Sequence, residues 1–202
     1  MKHPSTRALF AYWDERRGTR PAPERGDIDP VAIRHALGDT FMLAADFVDE
    51  HRFRLAGTRV CALFCREIKG ESFTPLWGES SRKAVEDLLA IMADEKIGAI
   101  AGLTGHTAEG SETELEMVLL PLAHSGHARI RAIGTLTAID SPYWAGVQPI
   151  TELTLGAVRH TGLTVEGEGV RRFGSLHAES HVRHGFVVYR GGREAPTNER
   201  AG

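Results

Sequence analysis

Long apolar runs are missing from this chain. The best of them, Met117 to Leu122, is strand-length and carries Pro121, far short of the ~18 residues a membrane helix needs. No insertion into a bilayer is therefore expected. Charge of one sign is also lacking. The 24 Lys and Arg stand against 27 Asp and Glu, a formal net charge of -3, so there is no broad basic face of the kind nucleic acid requires. Two cysteines are too few for a disulfide framework. No apolar core follows Met1 to Arg7, so a cytoplasmic rather than a secreted protein is expected. The common catalytic signatures are absent as well: no nucleophile elbow, no Walker loop, no paired-histidine zinc motif and no dinucleotide-binding glycine loop. Gly167-Glu168-Gly169 is only a fragment of the last. These gaps point away from the commoner enzymes.

What remains has the composition of a globular protein. Of 202 residues, 42% are hydrophobic and 25% charged, which fits one domain with extensions. Leu9, Phe10 and Trp13 recur at helical spacing between Ser5 and Arg17, and Gly18 ends the pattern. Three aromatics (Phe10, Tyr12 and Trp13) are more than a solvated helix needs. The reading is a dimer interface carried by Leu9, Phe10 and Trp13. Pro21 and Pro23 mark a connector, so residues 1–26 form an N-terminal helix and linker. Asp29-Pro30 then predicts a capped short helix with Ile33 and Leu37 inward, stopping at Gly38.

Strand patterns follow at Thr40 to Val48 and, with polar–apolar alternation, at His51 to Ala56, giving a hairpin. Val60, Leu63 and Phe64 have helical spacing. The longest helix begins near Ser80 or Ser81, either of which can cap it. It carries a stripe of Ala84, Val85, Leu88, Leu89 and Met92. Three more strands are predicted, at about 97–107, 112–122 and 128–139, joined by turns at Ala108 to Ser111 and at Ser125-Gly126. Glu112, Glu114 and Glu116 alternate with Leu115, Met117 and Leu119, and read as a solvent-facing row that discourages edge pairing. Val118 and Leu120 make the far end of that strand apolar on both faces, so it should be covered on both sides. Runs of strands flanking helices, without βαβ alternation, indicate an α+β fold with an antiparallel sheet. Beyond Ser141-Pro142 the character changes to a C-terminal extension, 141–202, expected to be partly disordered, with Phe186 to Tyr189 as a further strand candidate.

Few side chains suggest chemistry. Cys61 and Cys65 could share a helix face as a metal or redox pair, but no second pair completes a zinc site, and both read as small apolar fillers. His177, His181 and His184 have ligand-like spacing in a glycine-bracketed, basic segment, where solvated histidines are the simpler reading. His124 and His127 straddle a turn and need no special role. A curved sheet covered by helices leaves an apolar layer between them. Phe53, Phe64, Phe73, Trp77, Leu88, Leu115 and Leu136 are the candidate ligand-lining residues of that layer, which would otherwise be plain core.

Several segments taken together resemble a bacterial family of small PAS-domain proteins. They are Tyr12-Trp13 through Arg25-Gly26-Asp27-Ile28-Asp29-Pro30, Phe53-Arg54-Leu55-Ala56-Gly57-Thr58, Leu63-Phe64-Cys65-Arg66-Glu67-Ile68-Lys69-Gly70-Glu71-Ser72-Phe73, and Leu119-Leu120-Pro121-Leu122. Phe64 to Gly70 carries the resemblance most clearly. It is similar to a PAS segment with a G-R-E-x-x-G pattern before a buried aromatic, with Cys65 where that pattern has glycine. The resemblance implies a PAS-like five-stranded antiparallel sheet over residues 27–140, with helices over one face. It further implies a role in sensing or in protein–protein regulation. The leading expectation is a non-enzymatic signalling module that binds an unidentified signalling protein and is open to gating by a small ligand, with the homodimer resting on the Leu9, Phe10 and Trp13 stripe. No cofactor is expected. Cys61-Ala62-Leu63 does not reproduce the asparagine-cysteine-arginine motif of flavin-binding relatives. Ser81 to Lys96 lacks the axial histidine of haem-binding ones. The alternative is a small enzyme, or a metal or redox protein, using the same pocket.

Overall fold

A computed structural model describes residues 1–45, 51–123 and 131–161, together with the backbone of 180–183 and 186–189. Helix α1 (Pro4–Arg17) starts where Pro4 fixes a helical φ and where the His3 ring accepts a hydrogen bond from the Ser5 N–H (3.2 Å). Arg16 and Arg17 suit the negative end of its dipole, and Gly18, at φ +56°, ends it. The predicted helix after Asp29 is instead a run of turns. Its backbone bonds reach back three residues, from Ala32 to Asp29, Arg34 to Val31 and Ala36 to Ile33. A segment this short, ending in a tight turn at Leu37 to Asp39, gains too few bonds to settle as an α-helix.

Strands β1 (Thr40–Ala45) and β2 (His51–Ala56) pair antiparallel, as the alternation required. Between β2 and the meander lie α2 (Thr58–Leu63) and α3 (Glu79–Glu95). The remaining strands are β3 (Gly98–Thr107), β4 (Glu112–Leu122), β5 (Arg131–Ala138), β6 (Ile150–Thr161), β7 (Ser180–Arg183) and β8 (Phe186–Tyr189). The sheet order is β2-β1-β5-β4-β3-β6-β8-β7. Its first five members are the predicted antiparallel sheet, split in sequence by the helices. The sheet does not stop there: β6 pairs along nearly the whole of β3, from Gly98↔Thr161 to Thr107↔Ile150. The start of the C-terminal extension is thus part of the sheet. The last dozen residues, His124, His127, His177 and His184 lie outside the described residues.

Both faces of the sheet are covered, not one. On the inner face, α2 and α3 bury Val60, Leu63, Val85, Leu88, Leu89 and Met92 against strand residues such as Leu43, Leu115, Met117 and Leu136. Ala84 alone of the predicted stripe stays exposed. Gly78 stands at the start of α3 with no side-chain cap. Ser81, buried one turn in, accepts a hydrogen bond from the Leu155 N–H (2.9 Å) and ties the helix to β6. On the outer face, Leu9 and Trp13 of α1, with Ile28 and Ile33, pack on Ile100, Val118, Leu120 and Ile133. This accounts for the doubly apolar end of β4. It also changes the reading of α1. Leu9 is 0% exposed and Trp13 donates from Nε1 to the Pro121 carbonyl (2.7 Å), so the chain's own sheet takes the stripe expected to seat a second copy. Phe10 is left half-buried, stacked on Trp13.

Candidate functional site

All seven expected lining residues, Phe53, Phe64, Phe73, Trp77, Leu88, Leu115 and Leu136, fall in one buried cluster on the inner face. Edge-to-face contacts run from Phe41 to Phe53 (5.7 Å between centroids), Phe53 to Phe73 (5.6 Å) and Phe73 to Trp77 (5.5 Å). Rings at these separations hold one another in place, so the layer is packed as core around them. One polar group in it is unsatisfied. Trp77 is 1% exposed and its indole N–H has no hydrogen-bond partner among the described residues. A buried donor left so costs about 1–3 kcal/mol, and an acceptor brought into the layer would recover it.

The cysteines depart from the expectation of buried fillers. Cys61 is half-buried, with its thiol directed at the Ala56 carbonyl and the Glu67 carboxylate. Burial, more than any other cause, pushes this thiol above its ordinary pKa. That favours the thiol over the nucleophilic thiolate. Cys65 is exposed and sits at φ +51°, the left-handed conformation usually given to glycine. Among the described residues no three His, Cys, Asp or Glu side chains converge as metal ligands. Nor is any helix among them long and apolar enough to cross a membrane.

Two carboxylates fasten α1 to the rest of the chain. Asp39, buried just before β1, takes both Nε and Nη2 of Arg59 on α2 (2.7 and 2.8 Å) and also the Ser5 hydroxyl of α1. One side chain therefore joins the inner-face helix to the outer-face helix. Glu116 is the second. Glu112 and Glu114 are exposed as predicted, but Glu116 is only 3% exposed. β4 is a central strand, so this residue guards no edge. It accepts the N–H groups of Lys2 (2.6 Å) and of the N-cap His3 (2.9 Å), just ahead of the first turn of α1. Burial alone would push the Glu116 carboxyl up. The hydrogen bonds from Lys2, His3 and Thr6 more than offset it, and the net shift is downward.

Asp39 and Glu116 escaped sequence reasoning. A lone Asp after Gly38 has no signature, and Glu116 was hidden in a regular row. A third arrangement also becomes visible only in three dimensions. His106 Nδ1 lies 3.2 Å from Glu112 and its Nε2 lies 2.9 Å from the Thr154 hydroxyl. The order acid, imidazole, hydroxyl is that of a hydrolase relay. Here it lies across three neighbouring strands, β4, β3 and β6.

A cavity of about 340 Å³ opens elsewhere, on the outer face beside β1 and β2. Compared with known families, residues 1–137 match the model of the PAS domain. No curated protein matches the chain. The matched span runs from α1 into β5 and leaves β6 beyond it.

Proposed function

The chain belongs to the PAS-domain family, and from that premise we propose that it is a cytoplasmic, non-enzymatic sensory module that acts by contacting another protein. The family carries the general sensory and regulatory role. The observation that carries the mechanism is Asp39, held by Arg59 of α2 on one side and by Ser5 of α1 on the other. The input is a small molecule carrying a hydrogen-bond acceptor, taken into the layer lined by Phe53, Phe64, Phe73, Trp77, Leu88, Leu115 and Leu136. Its acceptor meets the unpartnered Trp77 N–H. The output is the set of α1 on the outer face. A ligand that prefers one arrangement of α2 biases α1 through the shared carboxylate, and only to the extent of that preference. A signalling protein, or a second copy in a homodimer, then meets the outward side of α1, where Phe10 is available and Leu9 and Trp13 are not.

Native mass spectrometry of the protein purified from its own host, with hydrogen exchange on α1, tests this reading. A retained small-molecule adduct that is lost in Trp77→Phe is expected. So is faster exchange along α1 in Arg59→Gln. Protein that carries no adduct, and whose α1 exchanges alike in wild type and Arg59→Gln, would overturn the reading.

A further inference from the structure

The outer-face core is not closed at its β2 end. α1 lies over β4 and β5, and Ile28 and Ile33 of the following turns pack with Met42 of β1 and Ile133 of β5. The opening of about 340 Å³ results, with Ile28, Ile33, Leu37, Met42, Leu55 and Ile133 as its apolar walls. Gly57 and Gly38 pass close together at its floor: a Cβ on Gly57 would lie 2.1 Å from the Leu37 carbonyl. The volume is at the lower end of the roughly 300–1,000 Å³ range of small-molecule sites. Leu55 (39% exposed) lies on its lip and Val31 (67%) stands on the overlying turns, both large apolar side chains in contact with water.

The lining of this opening carries positive charge. Arg25 is its only ionisable lining residue among the described residues. Arg25 forms no ion pair or side-chain hydrogen bond among the described residues. Of the carboxylates in the same turns, Asp27 is held by Arg20 and the Glu24 N–H, Asp29 by the Val31 N–H and Asp39 by Arg59, while Glu24 is exposed to solvent next to Arg25 in the chain. A greasy trough with one free guanidinium at its mouth matches a ligand with an aliphatic body and one anionic end. A nucleotide, which needs many polar partners, does not match it.

We infer that this outer-face trough binds a medium-chain aliphatic carboxylate, its chain on Ile33, Met42, Leu55 and Ile133 and its carboxylate on Arg25. The site lies on the opposite face of the sheet from the Trp77 layer and stands or falls independently of it.

Decanoate is the probe, with decanol as its uncharged counterpart, titrated calorimetrically into the full chain. Decanoate should bind the wild type, and Arg25→Gln should weaken it about tenfold while leaving decanol unchanged. Leu55→Trp, which fills the trough from an exposed lip and does not disturb the core, should abolish binding of both. Amide resonances of residues 28–42 and 55–58 should shift on binding. Failure of decanoate to bind the wild type overturns the inference. So does binding that survives Leu55→Trp, or an affinity for decanoate that does not change in Arg25→Gln.

Discussion

Glu116 shows how far one side chain can depart from its pattern. Its neighbours two residues away on either side of the alternation behave as expected, yet it lies under α1 with two backbone donors on it. Its carboxyl is held below the usual range, so it contributes stability above the unfolded-state pKa and loses that contribution as pH falls through the folded one. Glu116→Gln should therefore cost about 1–3 kcal/mol at neutral pH, and the gap from wild type should shrink below about pH 4.5. Urea unfolding at several pH values reads this, and a gap that is constant with pH would count against the assignment. Cys65 is the reverse case, a position legible from sequence. The family pattern places glycine there, and the backbone is indeed left-handed. Left-handed φ costs a non-glycine residue roughly 1–2 kcal/mol, and glycine returns up to about 1 kcal/mol of that as unfolded-chain entropy. Cys65→Gly should be neutral to slightly stabilising and Cys65→Val destabilising, as urea midpoints would show.

Among the elements, helices and strands with a long periodic pattern were readable, and what covers them was not. The spacing of Leu9, Phe10 and Trp13 identifies α1 correctly, but periodicity says only that a face is apolar. It does not say whether a second copy or the chain's own sheet receives it. Here Leu9 meets the sheet, so Leu9→Ala should cost about 2–5 kcal/mol. Phe10→Ala, on the half-buried side, should cost under about 1 kcal/mol. Equal losses in thermal unfolding would show that α1 does not dock through the Leu9 stripe. Ser81 illustrates a related blindness. Serine before an apolar stripe predicts a cap, whereas its hydroxyl is used by the Leu155 N–H of a strand far along the chain. The turns after Asp29 fail for a third reason. The capping residues are right, and the segment is too short to repay an α-helical nucleus.

For the molecule as a whole, the split antiparallel sheet was visible in the order of elements, and its true width was not. Ile150 to Thr161 has only a modest apolar pattern because just part of it faces the core: Ile150 and Leu153 are buried, and Gly156 and Ala157 are open. Its pairing with β3 supplies what its composition does not advertise. A chain ending at Ile139 keeps every matched family residue, yet strips β3 of its β6 partner and exposes an unpaired edge. Such a chain should unfold at a markedly lower temperature and scatter light on standing, and a truncated chain as stable and monomeric as the full one would contradict the extended sheet. The register between β1 and β5, Thr40↔Thr135, has a consequence for biosynthesis. β1 leaves the ribosome long before the strand that completes it, since both helices of the inner face and three other strands are made in the interval. Until then β1 has β2 along one edge and nothing along the other, so the nascent chain depends on slow, non-local closure, and translation pauses or chaperones acting before residue 135 emerges should govern its yield.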